Sequence, residues 1–534
     1  MRVVLASAFL ISSLAWGADS GPGSCSGPAK PFAPGAGDWN GWGVDSSNSR
    51  YQQQPGLAAA DVPKLKVKWA LGFGGMGDTR NQAQPVLVGG RVFVGSYSGK
   101  VYSLDAATGC IYWTYDAGVF VRGAINIQRL PGEGLRTPGG GRAPWIAFFG
   151  DGKGAVHAVN AETGELVWKM QVDDFPVARV SGTPTFYNGR LYVPMASGEE
   201  IASGQPKYEC CKFRGSLSAL DAKTGRVIWK SYTITDPPKP YKVNSEGTQL
   251  YGPAGGGVWS SPTVDEKRKR VYVGTGNSFS GISLPTSDAI LAFDLDSGSL
   301  LWSSQASPGD NWIPGCPKSA SCPDDPGQDY DFGSSPMLKS LGGGKQVIVA
   351  TQKSGVVFGL DPDQRGKVLW KTRVGAGGAM FGGFVWGAAS ADGAVYAAFG
   401  ENAQGTAGSP GLYALNIANG APLRVPASAT ATSKDGTSGP APLMPQALTA
   451  IPGVVFSGSL NGRLSAYSTR SGEILWDFDA MRDFDTVNKV PGKGGSFNGG
   501  GAAVAHGMVV INSGFGFGGA KPGNVLLAFT VDGK

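Results

Sequence analysis

The repeating unit of the chain is clearest at residues 216–229, which read SLSALDAKTGRVIW. Its first residues alternate between apolar and polar, which is the pattern of a half-buried strand. A tight turn follows at 221–225, where the Asp and Thr side chains can bond their own backbone and the Gly supplies a positive φ. A second strand then ends at Trp229. The stretch therefore predicts one β-hairpin that closes on a tryptophan.

The same hairpin recurs through the chain. Six more copies carry an acidic, amide or hydroxyl residue and a turn glycine before a bulky residue, and these bulky residues are Trp113, Trp168, Trp302, Trp370, Leu423 and Trp476. The turn at 529–533 has no tryptophan after it. Intervals of roughly 50–70 residues are typical of propeller blades built from several short strands. The longer intervals predict loop insertions, at 199–214, 233–257, 304–332, 400–411 and 430–445.

The tryptophan missing from the last copy has a candidate near the start of the chain. Residues 63–69 form a strand pattern that ends at Trp69 and has no turn before it. We predict that this strand completes the blade whose other strands come from the C-terminus. The fold class is then all-β, an eight-bladed β-propeller of four-stranded blades in a ring whose closure protects the sheet edges. The alternative is a solenoid of hairpins with open ends.

The composition fits a rigid β structure with many turns. The chain has 534 residues, of which 85 are glycine and only 16% are charged. A repeat ring escapes the usual limit on domain length, because each blade buries its faces on its neighbours. The net charge of +6 is small for this size, and no basic face with interleaved aromatic residues is evident. A nucleic-acid partner is therefore not expected.

The N-terminus predicts export. Residues 1–18, MRVVLASAFLISSLAWGA, have a basic start, an apolar run and small residues before a cleavage point, as in a secretory signal peptide. The apolar run is too short to span a bilayer, and no other stretch is long and apolar enough to do so. We predict an N-terminal arm at 19–61 and the propeller at 62–534. A Gram-negative source would place the protein in the periplasm.

The six cysteines gain meaning in an oxidising compartment, where disulfides persist. Six cysteines allow 15 pairings, and the sequence does not choose among them. Cys316 and Cys322 share one insertion and are expected to bridge locally, while Cys25 and Cys110 could tie the arm to the first blade. No Cys-x-x-Cys-His motif for covalent haem is present. The chain contains only two histidines, which argues against zinc or copper chemistry.

These repeats resemble those of a known family. The Asp-Ala-x-Thr-Gly-x-x-x-Trp hairpins resemble the tryptophan motifs of quinoprotein alcohol dehydrogenases, which use pyrroloquinoline quinone (PQQ). The polyvinyl alcohol dehydrogenase branch is the part of that family which the chain resembles in three stretches, 38–43 (DWNGWG), 208–215 (YECCKFRG) and 494–501 (GGSFNGGG). Non-catalytic assembly propellers share the repeat, so the residues of the site must decide between enzyme and scaffold.

The resemblance implies a calcium site and a catalytic base. Glu200 and Asn277 match the calcium ligands of the family, and Glu199 is an equally acidic alternative one position away. A hard cation such as Ca²⁺ requires several oxygen ligands, among which carboxylates and amides are common. Asp310, in the segment PGDNW, matches the general base of the family and is expected to lie at the metal. Each of these residues alone would more often belong to an ordinary turn.

The resemblance also implies a set of cofactor contacts. In the family a vicinal disulfide lies on one face of the PQQ plane and a tryptophan on the other, and Cys210–Cys211 and Trp259 match them. The cysteine pair comes later in the chain than in methanol dehydrogenases. Lys353 matches a lysine that bonds the quinone oxygens, and contacts to the cofactor carboxylates or the pocket wall are assigned to Arg122, Ser181 and Trp386.

The function implied by the resemblance is oxidation of secondary alcohols, with polyvinyl alcohol as one candidate substrate. In the family the metal polarises the quinone, and the base, here Asp310, removes the hydroxyl proton of the alcohol. Because no haem motif is present, a separate cytochrome c is the expected electron acceptor. The alternatives are a cofactor-free binding or assembly scaffold, and a sugar or polyol dehydrogenase on the same ring.

Overall fold

The computed structural model of the chain describes residues 21–74, 80–132, 134–282, 284–378, 381–399, 411–424 and 443–534. The predicted signal peptide and most of the predicted insertions at 400–411 and 430–445 lie outside these ranges. The described residues are almost entirely β, with a 3-10 helix at Ala59–Lys64 and a short α-helix at Glu199–Ser203. No helix in the described ranges is long and apolar enough to cross a membrane.

Eight antiparallel sheets of four strands, numbered here as blades 1–8 from the N-terminal side, form the architecture. Blade 1 contains Val86–Val88, Arg91–Gly95, Lys100–Asp105 and Ile111–Asp116. Blade 2 contains Asn126–Arg129, Trp145–Gly150, Ala155–Asn160 and Leu166–Gln171. Blade 3 contains Thr185–Tyr187, Arg190–Ser197, Ser216–Asp221 and Val227–Tyr232, with Ala178–Arg179 as an added strand. Blade 4 contains Thr263–Asp265, Arg270–Gly274, Ala289–Asp294 and Leu300–Gln305.

The second half of the ring repeats this order. Blade 5 contains Met337–Gly342, Lys345–Gln352, Val356–Asp361 and Lys367–Arg373. Blade 6 contains Ala389–Ala391, Ala394–Phe399, Gly411–Asn416 and Pro422–Arg424. Blade 7 contains Thr449–Ile451, Val454–Gly458, Arg463–Ser468 and Ile474–Asp479. Three accessory hairpins pair Leu135–Arg136 with Arg142–Ala143, Lys239–Val243 with Gln249–Gly252, and Asp483–Phe484 with Gly492–Lys493.

Blade 8 closes the ring with strands from both ends of the chain. Its first three strands are Ala503–Ala505, Met508–Ser513 and Val525–Val531, and its outer strand is Leu65–Gly72. The outer strand pairs antiparallel with Val525–Val531, from Leu65 opposite Val531 to Gly72 opposite Val525. The predicted eight-bladed ring, with its N- and C-terminal closure, is confirmed, and the open solenoid is excluded.

The repeated tryptophan and glycine join neighbouring blades. A Cβ added to Gly225, whose φ is +72°, would lie 2.7 Å from the ring of Trp168, so the tryptophan of blade 2 packs directly on the turn of blade 3. The Nε1 of Trp168 also donates to the carbonyl of Ala222 in that turn, at 3.2 Å. Where the repeat is degenerate, Leu423 is 56% exposed and the side chain of Arg424 lies against Gly472 instead.

The disulfides follow the expected pairs. Cys25 is bonded to Cys110, which ties the arm to blade 1, and Cys316 is bonded to Cys322 within one insertion. Within each antiparallel blade, the loop between the second and third strands lies on the same face of the ring as the connections to neighbouring blades. The tight turns after the first and third strands lie on the other face. Residues for a central site can therefore come from every blade on one face.

Candidate active site

Loops on that common face surround a cavity of about 240 Å³. Its lining comes from blade connections, such as those that carry Arg122 and Trp259, and from loops between second and third strands, such as those that carry Asn277 and Lys353. Because these loops belong to blades all round the ring, the cavity lies at the central axis. Among the predicted site residues, the lining contains Arg122, Ser181, Glu200, Trp259, Asn277, Lys353 and Trp386.

Three carboxylates meet in this cavity. One oxygen each of Glu200, Asp329 and Asp331 lies within 4.8 Å of the others. Glu200 comes from the short helix at Glu199–Ser203, and the two aspartates come from the connection between blades 4 and 5. Burial, followed by repulsion from Asp331, raises the pKa of Glu200 well above its ordinary range, and burial raises the pKa of Asp329 to about 7. Repulsion between carboxylates this close is relieved by protonation or by a bound cation, and oxygen ligands of this kind suit a hard cation.

Asn277 presents a further oxygen beside these acids. Its backbone N–H donates to Asp331 at 2.8 Å, and its Nδ2 donates to the carbonyl of Trp312 at 2.6 Å. Its Oδ1 is buried and accepts no hydrogen bond within the part of the chain that the structure describes. A buried polar atom without a partner is rare in native proteins. The Asn277 Oδ1 and the nearby carboxylates therefore fit a bound hard cation.

Among the residues that the structure describes, Lys353 is the cationic side chain nearest to these acids. Its Nζ contacts the carboxylate of Asp329, and both side chains are buried. Burial acts to lower the pKa of Lys353, but the carboxylates of Asp329 and Asp331 outweigh it and the pKa is raised. Lys353 therefore stays protonated, and it neutralises only part of the negative charge.

The geometry separates Glu199 from Glu200, which the sequence could not do. Glu199 is buried and its carboxylate accepts the N–H groups of Lys212 and Phe213, at 2.8 and 2.7 Å, and the hydroxyl of Tyr208 at 3.1 Å. These bonds anchor the following loop. Glu200, one residue later on the same helix, lines the cavity instead. Of the two acids, only Glu200 lines the cavity and lies beside Asp329 and Asp331.

Asp310 does not occupy the position that the sequence predicted. Its carboxylate accepts the backbone N–H groups of Gln328, Asp329 and Tyr330, at 3.2, 3.2 and 2.6 Å, and that of Trp312 at 3.3 Å. Asp310 is not part of the cavity lining. The carboxylate that we assigned to proton removal and metal binding therefore holds the loop that carries Asp329.

Trp259 forms a flat wall of the cavity. A Cβ added to Gly333 would lie 1.8 Å from the ring of Trp259, so only a glycine allows the ring to lie there. Trp386 meets Trp259 edge to face, with ring centroids 5.1 Å apart. The guanidinium of Arg122 lies 4.6 Å from the Trp386 ring centroid and its Nε donates to the Ser181 carbonyl at 3.4 Å. Predicted residues Trp259, Trp386, Arg122 and Ser181 thus belong to one wall.

The predicted vicinal disulfide forms, but it is not at the cavity. Cys210 and Cys211 are bonded to each other and buried among apolar residues that include Phe213 and Ile313. Neither cysteine belongs to the cavity lining. The bonds from Lys212 and Phe213 to Glu199 hold this loop behind the short helix. Contact between the Cys210–Cys211 ring and a bound cofactor therefore stays a prediction.

Two aspartates and two arginines that line the cavity were not predicted from the sequence. The two aspartates are Asp329 and Asp331, in the segment DYD. They were overlooked because the same insertion contains the motif PGDNW, whose aspartate matched the family. Arg179 and Arg80 line the cavity near Arg122, and burial together with repulsion from Arg179 lowers the pKa of Arg122 to about 9. The acid–x–acid spacing of DYD was the available signal. Arg80 and Arg179 lie in segments without a recognisable motif, so the sequence contained no signal for them.

Comparison with known proteins shows the family of the chain. Residues 39–374 match the family described as "PQQ: Glucose/ethanol/alcohol dehydrogenase, beta-propeller domain". Together with the ring and the cavity, this match shows that the chain belongs to the family of PQQ-dependent alcohol dehydrogenases.

Two relatives within this family match almost the whole chain. A polyvinylalcohol dehydrogenase from Pseudomonas sp. is 42% identical over 93% of this chain and 77% of its own length. A polyvinylalcohol dehydrogenase from Sphingopyxis sp. strain 113P3 is 39% identical over 96% of this chain and 79% of its own length. The solved structure of quinohemoprotein alcohol dehydrogenase from Comamonas testosteroni shares the fold, with a TM-score of 0.65 and 21% identity over 93% of this chain and 81% of that one.

Proposed function

We propose that this protein oxidises secondary alcohols, including hydroxyl groups of polyvinyl alcohol, to ketones. PQQ and Ca²⁺ would bind in the central cavity, and electrons would pass to a separate cytochrome c. The observation that carries the proposal is the division of charge in the cavity. Arginines gather on the connections between blades 8, 1, 2 and 3, while the carboxylates gather on blade 3 and the connection between blades 4 and 5.

This division of charge suits an aromatic tricarboxylate such as PQQ. Arg122 and Arg179 have no carboxylate partner within the described ranges, so they are available for anionic groups of a ligand. Guanidinium groups bind carboxylates with two parallel hydrogen bonds. The flat wall of Trp259 suits a planar ring system, and Lys353 supplies a donor on the acidic side. The quinone end would therefore face the acids and the carboxylates would face the arginines.

The metal would be held by Glu200, Asn277 and Asp331. The Asp331 carboxylate already accepts the backbone N–H of Asn277. The Asn277 Oδ1, which accepts no hydrogen bond from the described residues, would supply a neutral ligand. We assign proton removal to Asp329, because its partner Lys353 would contact the quinone. When bound, PQQ would supply the hydride acceptor and the metal would supply a Lewis acid. Asp310 fixes the loop of Asp329 through backbone bonds.

An aromatic rim at the cavity supports an apolar substrate chain. Phe515 packs edge to face with Phe381 and Phe517, with ring centroids 5.8 and 6.4 Å apart, and all three line the cavity. Ile201 lies next to Glu200 and is 51% exposed. Aromatic and aliphatic side chains would pack against the methylene groups of a polyvinyl alcohol chain without competing for its hydroxyls. The two relatives named polyvinylalcohol dehydrogenase support the same substrate.

Export and the electron acceptor complete the proposal. The sequence of residues 1–18 supports secretion to the periplasm, where the three disulfides would be retained. A separate cytochrome c is proposed as the electron acceptor. With an alcohol as the only electron donor, the purified protein should reduce an artificial dye. Under the same reaction conditions it should also reduce cytochrome c.

Reconstitution tests the function directly. Apo-protein should gain dye-reducing activity when PQQ and Ca²⁺ are added together, and should bind PQQ only weakly without the metal because the acids would repel the anionic quinone. A panel of primary alcohols, secondary alcohols, polyvinyl alcohol and sugars defines the substrate class. We expect turnover of 2-alcohols and the polymer above that of sugars. Absence of PQQ binding in the presence of Ca²⁺ would support the scaffold alternative.

The identity of the cation is tested in the same assay. Three carboxylates in one site favour a highly charged cation, so La³⁺ is compared with Ca²⁺ at equal free concentration. We expect Ca²⁺ to support activity. Activity with La³⁺ alone would replace calcium in the proposal and leave the assigned ligands unchanged.

A further inference from the structure

The segment 38–56, called here the hub segment, crosses the centre of the ring. Its backbone carbonyls, or the Asn40 side chain, accept the N–H of one residue from the first strand of six blades. These residues are Leu87, Ile127, Val264, Leu338, Ser390 and Ala450, at 2.9, 2.9, 2.9, 3.2, 2.9 and 2.9 Å. In blade 8 the N–H of Gly507, in the turn after the first strand, donates to the carbonyl of Pro55 at 2.8 Å. One short segment thus bonds to seven blades.

These bonds meet a need that the propeller itself creates. The first strand of each blade is an edge strand at the axis, with backbone groups that no neighbouring strand pairs. Buried backbone donors must find acceptors. The hub segment provides them in sequence order, from Trp39 at blade 1 to Pro55 at blade 8. It therefore joins seven blades through one segment, in addition to the contacts between neighbouring blades.

Arg50 holds the hub segment in place. Its side chain is 1% exposed and donates to the carbonyls of Leu448 and Trp42, both at 2.5 Å, and to Oε1 of Gln84 at 3.0 Å. Its guanidinium lies 4.6 Å from the centroid of the Trp42 ring. Acceptors from blades 1 and 7 thus converge on one arginine. A buried guanidinium loses much of its stabilisation when such partners are removed.

The backbone of the hub segment is constrained by these contacts. Val44, Asn48 and Arg50 have φ values of +75°, +55° and +52°. The left-handed region is unfavourable for residues with a Cβ, and most of all for a β-branched valine. Such conformations persist only where the surroundings fix them, and they cluster at functional sites. Their presence here points to a role beyond covering the end of the ring.

The hub segment also reaches the cofactor cavity. Trp42 lines a small void together with Arg122, Trp259 and Trp386, three residues of the main cavity wall. A Cβ added to Gly387 would lie 3.5 Å from Arg50 and 3.7 Å from Trp42, so the connection that follows Trp386 is packed against both. The ring of Trp42 thus supports the wall of the cavity from the side of the hub segment.

We propose that the hub segment is the positioning element of the cofactor site. Through its bonds to first strands it fixes the blades relative to one another, and through Trp42 it sets the wall formed by Trp259 and Trp386. This inference rests on the proposed function, because it takes PQQ as the ligand of the cavity. Coupling is reciprocal, so PQQ binding should order the hub segment and loss of the hub segment should weaken PQQ binding.

The first test measures amide hydrogen exchange in apo-protein and does not require PQQ. Arg50→Met keeps a similar volume and removes the donors, and Arg91→Met is the matched control. Arg91 is also buried, and its guanidinium lies 4.3 Å from the ring centroid of Tyr112. Its Nη1, however, donates to the backbone carbonyl of Glu162 at the perimeter, at 2.9 Å. Arg50→Met should accelerate exchange in first-strand peptides of blades 4–7 by about tenfold or more. Arg91→Met should affect only blades 1 and 2.

The second test measures the dissociation constant of PQQ with saturating Ca²⁺, from quenching of tryptophan fluorescence. Arg50→Met and Trp42→Ala should weaken binding about tenfold, within the usual range of coupling between sites, while Arg91→Met should not. Trp42→Phe should restore most of the affinity. Loading wild-type protein with PQQ should slow exchange in peptides covering 38–56. A purely structural role would lower the melting temperature in Arg50→Met and Arg91→Met alike without changing PQQ affinity selectively.

The outcomes separate this inference from the proposed function. Faster exchange confined to the Leu448–Ala450 region in Arg50→Met would overturn the hub. Faster exchange across the blades with unchanged PQQ affinity would overturn positioning of the cofactor site. Wild-type protein that binds no PQQ would overturn the proposed function and with it the positioning role, while the exchange data would still decide whether the segment is a hub. If Arg50→Met fails to fold, Asn48→Ala removes milder bonds to the Ser261 and Pro262 carbonyls.

Discussion

Asp221, in the outer turn of blade 3, and Asp329, in the central cavity, are both loop aspartates with very different surroundings. Asp221 is partly exposed, and its Oδ1 accepts the backbone N–H and the hydroxyl of Thr224, each at 2.8 Å. Asp329 is buried beside two more carboxylates and contacts Lys353. The perimeter acid is satisfied within its own turn, whereas the cavity acid depends on groups distant in sequence.

The difference shows how acids that build the fold can be told from acids that carry chemistry. A locally satisfied carboxylate stabilises its turn and needs no further partner. A cluster of buried carboxylates lowers stability when its members are ionised and no cation is bound, so it is a candidate ligand site. Asp310 belongs with the first group despite its position near the cavity, because four backbone N–H groups satisfy its carboxylate.

The largest effect is expected from Asp329→Asn. It keeps the shape of the side chain and removes the basic carboxylate, so the rate at saturating PQQ and Ca²⁺ should fall by about 10²–10⁴-fold. Asp221→Asn is the matched control and should turn over at nearly the wild-type rate. Steady-state dye reduction, corrected for cofactor loading, measures both. Wild-type turnover in a fully loaded Asp329→Asn would end the distinction between the two aspartates.

Asp310→Asn should lose stability before it loses chemistry. The amide leaves one acceptor oxygen and places an NH₂ group among backbone donors, so the free energy of unfolding should fall by about 1–3 kcal/mol. Activity should fall by about tenfold because Asp329 is less well positioned. Urea unfolding and single-turnover kinetics measure the two effects. A stable Asp310→Asn with the full loss expected of a general base would restore the base to Asp310.

The pH dependence of apo-protein stability should reveal the cavity acids. Burial raises the folded-state pKa of Asp329 to about 7 from an ordinary value of 3.8. The folded state therefore binds more protons than the unfolded state between these values, and stability falls as pH rises from about 4 to about 7. Ca²⁺ at about a hundredfold above its dissociation constant should restore about 2.7 kcal/mol near pH 7.

Calorimetry of apo- and Ca²⁺-loaded protein across this pH range provides the measurement. Asp329→Asn should reduce the loss of apo-protein stability with rising pH, whereas Asp221→Asn should leave it in place. An apo-protein whose stability rises through this range would mean that the three acids are not close in solution.

The last comparison, which concerns stability alone, is between two perimeter glycines. Gly225→Ala forces a Cβ into the ring of Trp168 at a positive φ, so the free energy of unfolding should fall by about 2–4 kcal/mol. Gly189 has a similar φ of +75° and open space around its missing Cβ. Gly189→Ala should therefore cost only about 1 kcal/mol. Denaturant unfolding compares the two, and equal losses would mean that the tryptophan contact adds nothing to backbone strain.

The perimeter was predictable because its interactions are local and repeated. The turn at 221–225 contains its own hydrogen-bond acceptor, donor and glycine, and the tryptophan that packs on it comes from the preceding copy of the same motif. The closure of blade 8 followed from the same count, since one tryptophan strand was left over at Trp69. Wherever the repeat determines both partners of a contact, one copy is enough to predict all of them.

Part of the site was predictable for a different reason. Glu200, Asn277, Trp259 and Lys353 occur in the chain order that the family resemblance implies, and the structure brings all four to the cavity. The assignment failed within the 304–332 insertion, where PGDNW and DYD both offer acids. The Cys210–Cys211 bond was predicted, but the place of this bond outside the cavity lining was not.

The sequence by itself determined the hairpin repeat, the blade count, the closure of the ring and the class of chemistry. Only the tertiary structure decided which of the candidate acids line the cavity. Glu199 is used by the backbone of residues 212–213 and Asp310 by that of residues 328–330. The physical reason is that several backbone N–H groups already satisfy Glu199 and Asp310, so their oxygens have little capacity left for a ligand in the cavity. Those donors come from loops whose paths are not set by the repeat.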